Sequence, residues 1–339
     1  MPSGPRLKFC SYEELNGRPN IVVDGSPTGG TVLCLTHWPH IESPARYRGD
    51  LSAEMAFRYA ENRRGGGDAT LVSNNHFDQD GLVSMYALTH PAEAAARRDL
   101  LIDVARAGDF ATSTTLAAAR ISMTLSAYAT PGRSPISDLA ADYSEMTAQL
   151  YEEMLPLLGD LCDHPGRYKE LWEEEDVTLR ESQSVLASGR AALEEVPDLD
   201  LAVFVLPEDG PRSGGHRFGG RWVPGLHPMA LHGRTERFAM LVIREQSYEF
   251  TYRYETWVQY QSRRPRARVD LSHLTDELNA NESGPGVWRA DPVSELTPRL
   301  RLEGAQHSAM SPSTFRLLLE AHLRKAPPAW DPYLHERTG

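Results

Sequence analysis

Cysteine is scarce in this chain of 339 residues. There are three, Cys10, Cys34 and Cys162, with no Cys-x-x-Cys spacing and no even set. That excludes a disulfide framework and is the usage of a reducing cytosol. Cys34, in an apolar strand-like run, reads as a core residue and not a nucleophile. Long apolar runs are missing too, and no stretch approaches the length needed to span a membrane. The start, Met1-Pro-Ser-Gly-Pro-Arg6, lacks the apolar core of a secretory signal, so a soluble, cytoplasmic protein is expected. Positive charge is in deficit. The net charge of −12 argues against binding nucleic acid by bulk electrostatics. A small anionic substrate stays open, because a metal inverts the local charge. Also missing are a Gly-x-Ser-x-Gly elbow, a Gly-x-Gly-x-x-Gly loop after a strand, and a phosphate loop ending in Gly-Lys-Ser/Thr. Gly65-Gly-Gly67 precedes a strand, which makes it a poor phosphate cradle.

What is present is ordinary for a soluble globular protein, 40% hydrophobic and 24% charged, and long enough for two domains. Asn20–Asp24 and Thr31–Thr36 read as strands, the second a continuous apolar run of the kind buried on both faces. A helix follows over Asp50–Tyr59, capped by Asp50 or Ser52, with Leu51, Met55 and Tyr59 at four-residue spacing. Ala69–Val72 is a third strand, and the helix after it carries Leu82, Val83, Tyr86, Ala87 and Leu88. Helices are expected over Ala92–Ala107, with Gly108 as C-cap and Asp109 on a loop, and over Thr114–Tyr128. Beyond the break at Pro131–Pro135, helices are expected over 137–161 and 166–196, where Trp172, Leu179, Leu186 and Leu193 form a stripe for packing or a dimer seam. Then come strands at Leu201–Leu206, Arg237–Ile243 and Ser247–Tyr260 and helices at Asp270–Leu278 and Ser313–Arg324. The expected class is α/β: a mostly parallel sheet flanked by helices over 1–135, a helical connector over 136–197, and a smaller α+β domain over 198–339 that would carry substrate contacts.

The chemistry concentrates at strand ends. His76, Asp78 and Asp80 follow the third strand, two residues apart each time; extended backbone would put all three on one side. An imidazole and two carboxylates suit a divalent cation that takes nitrogen and oxygen ligands, such as Mn²⁺. The competing reading is that Asp78 or Asp80 caps the helix and His76 is an exposed loop residue. His37 follows the second strand, Asp24 the first, and Asp103 and Asp109 lie at the end of the next helix. Carboxyl ends of neighbouring parallel strands share one edge, where ligands bind, so these residues can converge on one cation site. Two metals bridged by a carboxylate would clamp a phosphoryl group.

Asn75-His-Phe-Asp-Gln-Asp-Gly-Leu-Val-Ser84 resembles the first motif of the DHH-type phosphoesterase superfamily, a His-x-Asp-x-Asp-Gly loop followed by a helix. Thr36-His-Trp-Pro-His40 with the helix after it is similar to that family's Asp-His-His motif, and Leu101–Phe110 to one of its other aspartate motifs. Thr36 and Trp38 stand where the family has Asp and the second His, and the motifs come in reverse order, as in a circular permutation. The resemblance spans residues 20–125. It implies paired Mn²⁺ ions, with Mg²⁺ as the other choice, and hydrolysis of a phosphate ester or anhydride. The chain as a whole also resembles an actinobacterial family without an assigned activity.

On this reading His76, Asp78, Asp80 and one of Asp103 and Asp109 hold metal, and Asp78 takes part in catalysis. His37 is a ligand or a general acid. The resemblance further implies a second domain that closes over the substrate, for which His216, Arg217, His232 and Arg234 are candidates, with Asn75 beside the metal loop. A plain surface loop over 209–221 is the competing reading. The substrate would be a phosphorylated small molecule or nucleotide. The alternative function is a non-catalytic binding or assembly protein on the same fold, suggested by Thr36 and Trp38.

Overall fold

The computed structural model of the protein describes residues 7–64, 66–209 and 226–333. Its contacts divide the chain into two units, Met1–Val177 with Tyr260–Arg263, and Thr178–Gln259 with Arg264–Gly339. The fold class is the expected α/β.

In the first unit, β1 (Lys8–Phe9), β2 (Asn20–Val23), β3 (Thr31–Leu35) and β4 (Leu71–Ser73) form a wholly parallel sheet in the order β1-β4-β2-β3. The central strand β2 is buried at every residue, as a parallel strand covered on both faces must be. The helices are α1 (Ser52–Glu61), α2 (Gln79–Thr89), α3 (Pro91–Ala96), α4 (Arg98–Asp109), α5 (Leu116–Tyr128), α6 (Tyr143–Asp163) and the first part of α7 (Lys169–Ala187). α1 packs on α2, α2 on α4, and α4 on α5. α2 is buried throughout; most of its side chains are apolar or small, and its two larger polar ones are paired, Gln79 with Ser122 and Ser126 and Asp80 with the amides of Ser52 and Ala53. Its Gly81 is needed for the approach of α6. A Cβ there would stand 2.5 Å from Asn74 Nδ2 and 2.6 Å from the Tyr151 hydroxyl.

The second unit is built on a six-stranded mixed sheet. Its elements are β5 (Ala192–Val196), β6 (Leu201–Leu206), β7 (Ala239–Arg244), β8 (Ser247–Tyr252), β9 (Arg268–Val269), β10 (Val287–Ala290), β11 (Arg299–Glu303) and β12 (Pro328–Trp330), with α8 (Pro228–His232), α9 (Ser272–Asn281) and α10 (Pro312–Lys325). The sheet order is β10-β11-β8-β7-β6-β5; β6 and β7 are parallel and the other pairs antiparallel. β9 pairs with β12 separately. Alternation along β8 buries Tyr248, Phe250 and Tyr252, which join Trp288, Phe315 and Leu319 in one core.

Several local expectations change. The helix expected over Ala92–Ala107 divides at Arg97, and α4 runs on through Gly108 to Asp109, so Asp109 is the last helical residue and not part of a loop. α7 ends at Ala187, because Gly189 takes a left-handed conformation (φ 74°) that turns the chain out of the helix. Leu193 therefore lies in β5, and the heptad stripe stops at Leu186. β8 stops at Tyr252, where a helical turn over Tyr254–Thr256 begins. The division between units falls inside α7, not at residue 197, and α6 belongs with the first unit, not to a separate connector. Among the described residues no helix is long and apolar enough to cross a membrane.

Candidate functional site

Three neighbouring parallel strands end side by side and release the residues of interest at one edge. β2, in the middle, leads into Asp24; β3 into Thr36 and His37; β4 into Asn74, Asn75 and His76. Asp24 takes a left-handed backbone (φ 49°), a region Asp tolerates better than most residues, while its amide still donates to Leu35. The helix ending at Asp109 supplies a fourth approach.

The side chains meet in two groups that share Asp24. In the first, His37 Nε2 faces Asp109 Oδ2 at 3.5 Å, Asp24 Oδ1 at 3.6 Å and Asp80 Oδ2 at 3.8 Å, all buried. In the second, His76 Nε2 lies 3.1 Å from Asp78 Oδ2 and 3.3 Å from Asp24 Oδ2. Ligand atoms of Asp24, His37 and Asp80, and likewise of Asp24, His76 and Asp78, lie within 4.8 Å of one another, which is the spacing of a metal-holding set. The groups differ in access. Side-chain exposure is at most 3% in the first, and 16% at His76 and 22% at Asp78 in the second.

Second contacts orient these groups. His37 Nδ1 is 2.6 Å from the Asp50 carbonyl, which can only accept; Nδ1 therefore carries the proton and Nε2 turns to the carboxylates. Asp80 accepts from the first amides of α1, Ser52 N at 2.8 Å and Ala53 N at 2.7 Å, and Ser52 Oγ donates to Asp24 Oδ1 at 2.8 Å. Helix α1 is thus capped by a residue of α2. Its own N-cap is Leu51, without a side-chain bond, so neither Asp50 nor Ser52 has the expected capping role. Asp78 combines both readings offered for it: Oδ1 caps α2 through Gly81 N at 2.8 Å while Oδ2 faces His76. Because α2 starts at Gln79, His76 and Asp78 share one group while Asp80 is carried round to the other.

The electrostatics are those of too many acids in too little water. Burial raises the Asp24 carboxyl above the ordinary carboxylate range, and the neighbouring Asp78 adds to it. Burial pushes Asp80 well above that range, with Asp24 and Asp78 adding, although two backbone amides pull the other way. At His76 burial works against the proton, but Asp78 and Asp24 outweigh it and raise the imidazole well above its usual value. The Tyr151 phenol is raised by burial and then by Asp78. It donates to the His76 carbonyl at 3.0 Å and accepts from Asn74 Nδ2 at 3.0 Å, holding the loop in place. Trp38 lies against the His76 ring with centroids 5.1 Å apart.

Asp103 does not join them. Its oxygens accept from the amides and hydroxyls of Thr114 and Thr115 at 2.8 to 3.0 Å, closing the turn into α5. A carboxylate with four donors is a capping group, so of the two helix-end candidates Asp109 is the one beside His37. Asp103→Ala is expected to cost about 2 kcal/mol of stability by chemical denaturation. Divalent-ion affinity should be unchanged by calorimetry, whereas a true ligand would lose it.

Asn75 accepts from Ser26 N at 3.0 Å through Oδ1, and a Cβ on Gly25 would meet that oxygen at 2.3 Å, so its side chain braces the Asp24 turn. His232 ends α8 and Arg234 follows it on an exposed turn, both in the second unit. His216 and Arg217 lie outside the described residues, as does the loop reading for 210–221. Ser52, Tyr151 and Asp50 add to the site in roles that no motif of the sequence carries. Ser52 and Asp50 both stand at the helix start that the sequence marks, whereas nothing local marks Tyr151.

No curated protein and no solved structure matches the chain. A match across residues 5–334 places it in a family of unknown function, DUF6687, and the chain belongs to that family.

Proposed function

We propose that the protein is a metal-dependent phosphohydrolase acting on a phosphorylated small molecule or nucleotide, with two divalent cations, Mn²⁺ or Mg²⁺, at the β2–β3–β4 edge. The observation that carries the reading is the shared carboxylate: Asp24 stands in both ligand groups. Asp24, Asp78, Asp80 and Asp109 bring four negative charges into this pocket when ionised, and two divalent cations would balance them. His37, Asp80, Asp109 and Asp24 would hold one cation in the closed group, and His76, Asp78 and Asp24 the other in the more open one. Closed sets suit a tightly held ion, and open ones leave room for water and substrate. Bound there, such a pair supplies Lewis acidity to a phosphoryl oxygen and lowers the pKa of water.

The chain's own residues do the rest. His37 is assigned to holding the ion and not to general acid work, since its ring is buried and its Nδ1 proton is already donated to Asp50. Asp78, the more exposed carboxylate, faces the substrate side, and Trp38 beside His76 walls that side. The likeness to DHH-type phosphoesterases supports this reading through the His76–Gly81 motif. A cytoplasmic location and a homodimer are further parts of the proposal.

The test is a phosphatase screen with Mn²⁺ on the wild type and on Asp78→Ala. Activity is expected in the wild type and to fall about 10³-fold in the variant. Equal activity in both would remove the hydrolase. The second reading, a binding protein without catalysis, is favoured by the Trp38 ring packed on His76. Nucleotide stabilisation in a thermal-shift series without any Mn²⁺ requirement would support it.

A further inference from the structure

The four residues Tyr260–Arg263 pack with the first unit, although the chain on either side of them belongs to the second. Their hold on the first unit is specific. The backbone amides of Gln261 and Ser262 both donate to Asp50 Oδ1 at 2.7 Å, and Ser262 Oγ donates to Asp50 Oδ2. The Tyr260 ring meets Phe110 edge-on, with centroids 5.4 Å apart. Both anchor points adjoin the proposed ion site. Phe110 directly follows Asp109, and its ring centroid is 6.4 Å from that of His37. Asp50 is the residue whose carbonyl receives the His37 Nδ1 proton.

Asp50 is 5% exposed and lies one residue before the N-cap of α1, so the helix's own ladder of hydrogen bonds does not orient its carbonyl. Two other restraints do. The Asp50 amide donates to Glu54 Oε2 at 3.2 Å, and the carboxylate accepts three hydrogen bonds from the returning segment. A charged acceptor with three donors is strongly held, because bonds to ionised groups are about twice as strong as neutral ones.

We propose that Asp50 is a positioning residue: clamped by the strap Gln261–Ser262, it holds His37 in the one tautomer and orientation that presents Nε2 to Asp24, Asp80 and Asp109. The strap is then part of the site's construction, and its loosening is felt at His37. The positioning itself does not depend on an ion being bound; its effect on ion affinity rests on the function proposed above.

The test is made on the full chain labelled with ¹⁵N-histidine, the His37 signal being assigned by its loss in His37→Gln. In the wild type the His37 Nδ1–H resonance should be visible and protected from exchange. In Ser262→Ala and Asp50→Ala its exchange should accelerate about tenfold or more. Asp50→Asn, which keeps an acceptor for the two amides, should fall between. Mn²⁺ affinity by calorimetry should drop ten- to a hundredfold in the alanine variants, the usual effect of losing an outer partner of a metal-binding histidine. An unprotected His37 Nδ1–H in the wild type, or unchanged protection in folded Ser262→Ala, would overturn the proposal. Ser262→Ala decides the matter if Asp50→Ala does not fold. A wild type that binds no Mn²⁺ would instead count against the hydrolase reading and leave the exchange result to decide the positioning one.

Discussion

Asp24→Asn is expected to abolish binding of divalent ions at both groups while making the ion-free protein more stable. The variant is nearly isosteric, and Asn can still accept from Ser52 Oγ, the 2.8 Å bond that ties β2 to α1. What it removes is the charge that both ligand sets share. Loss of paired Lewis acids should lower ion-dependent activity by about 10³-fold or more, several kcal/mol of transition-state stabilisation. In the absence of metal the same charge is a burden: Asp24 is fully buried and its carboxyl is driven up by burial and by Asp78, while Asp80 is driven up in turn by burial and by Asp24. Removing it should stabilise the chelated protein by about 1–3 kcal/mol, as replacing buried ionic groups often does. Denaturant unfolding in EDTA measures this, and a clear destabilisation of the chelated variant would show that Asp24 is an ordinary structural acid.

The second large effect is a divergence of ion-free and ion-loaded stability with pH. Asp24, Asp80 and His76 all have folded-state pKa values raised above their ordinary ones. In each case the folded chain therefore keeps a proton that the unfolded chain has already lost. Where the native state binds more protons, unfolding free energy falls as pH rises. For the two carboxyls this stabilising contribution is complete below about pH 4 and is lost as pH climbs through their raised values. For His76 it is complete below about pH 6.5 and lost above that. The chelated protein should accordingly lose melting temperature between acid and mildly alkaline pH. With Mn²⁺ present the trend should reverse, because the ligands must shed those protons to bind and affinity grows as they do. Melting curves from pH 5 to pH 8 with EDTA and with Mn²⁺ check the crossing. Parallel curves would mean that these groups do not exchange protons for an ion.

Much of the site was legible because its signals are local. A buried strand running into polar residues marks a sheet edge, and Asp24, His37 and the His76–Asp80 loop each follow such a run. Alternation along Ser247–Tyr252 likewise announced the half-buried face of β8. Other features had no local mark. Asp103 and Asp109 are indistinguishable by spacing; they differ because the Thr114–Thr115 turn folds back onto one of them. Gly108 looks like a helix stop that would leave Asp109 on a loop, yet the glycine is there for closeness: a Cβ on it would stand 2.7 Å from Gln79 Cβ, where α4 crosses α2. Tyr151 reaches the His76 loop from 75 residues away, and Ser262 reaches Asp50 from 212. No period or motif carries contacts of that range. They come from how helices and returning segments settle once the sheet has formed.

The most direct measurement is the amount of divalent metal the purified protein retains after dialysis against trace Mn²⁺, compared with Asp24→Asn. Two ions per chain in the wild type, one bound more tightly than the other, and none in the variant is the result expected from two ligand groups joined through one carboxylate. A wild type that retains no metal, and melts at the same temperature in EDTA as in Mn²⁺, would contradict it.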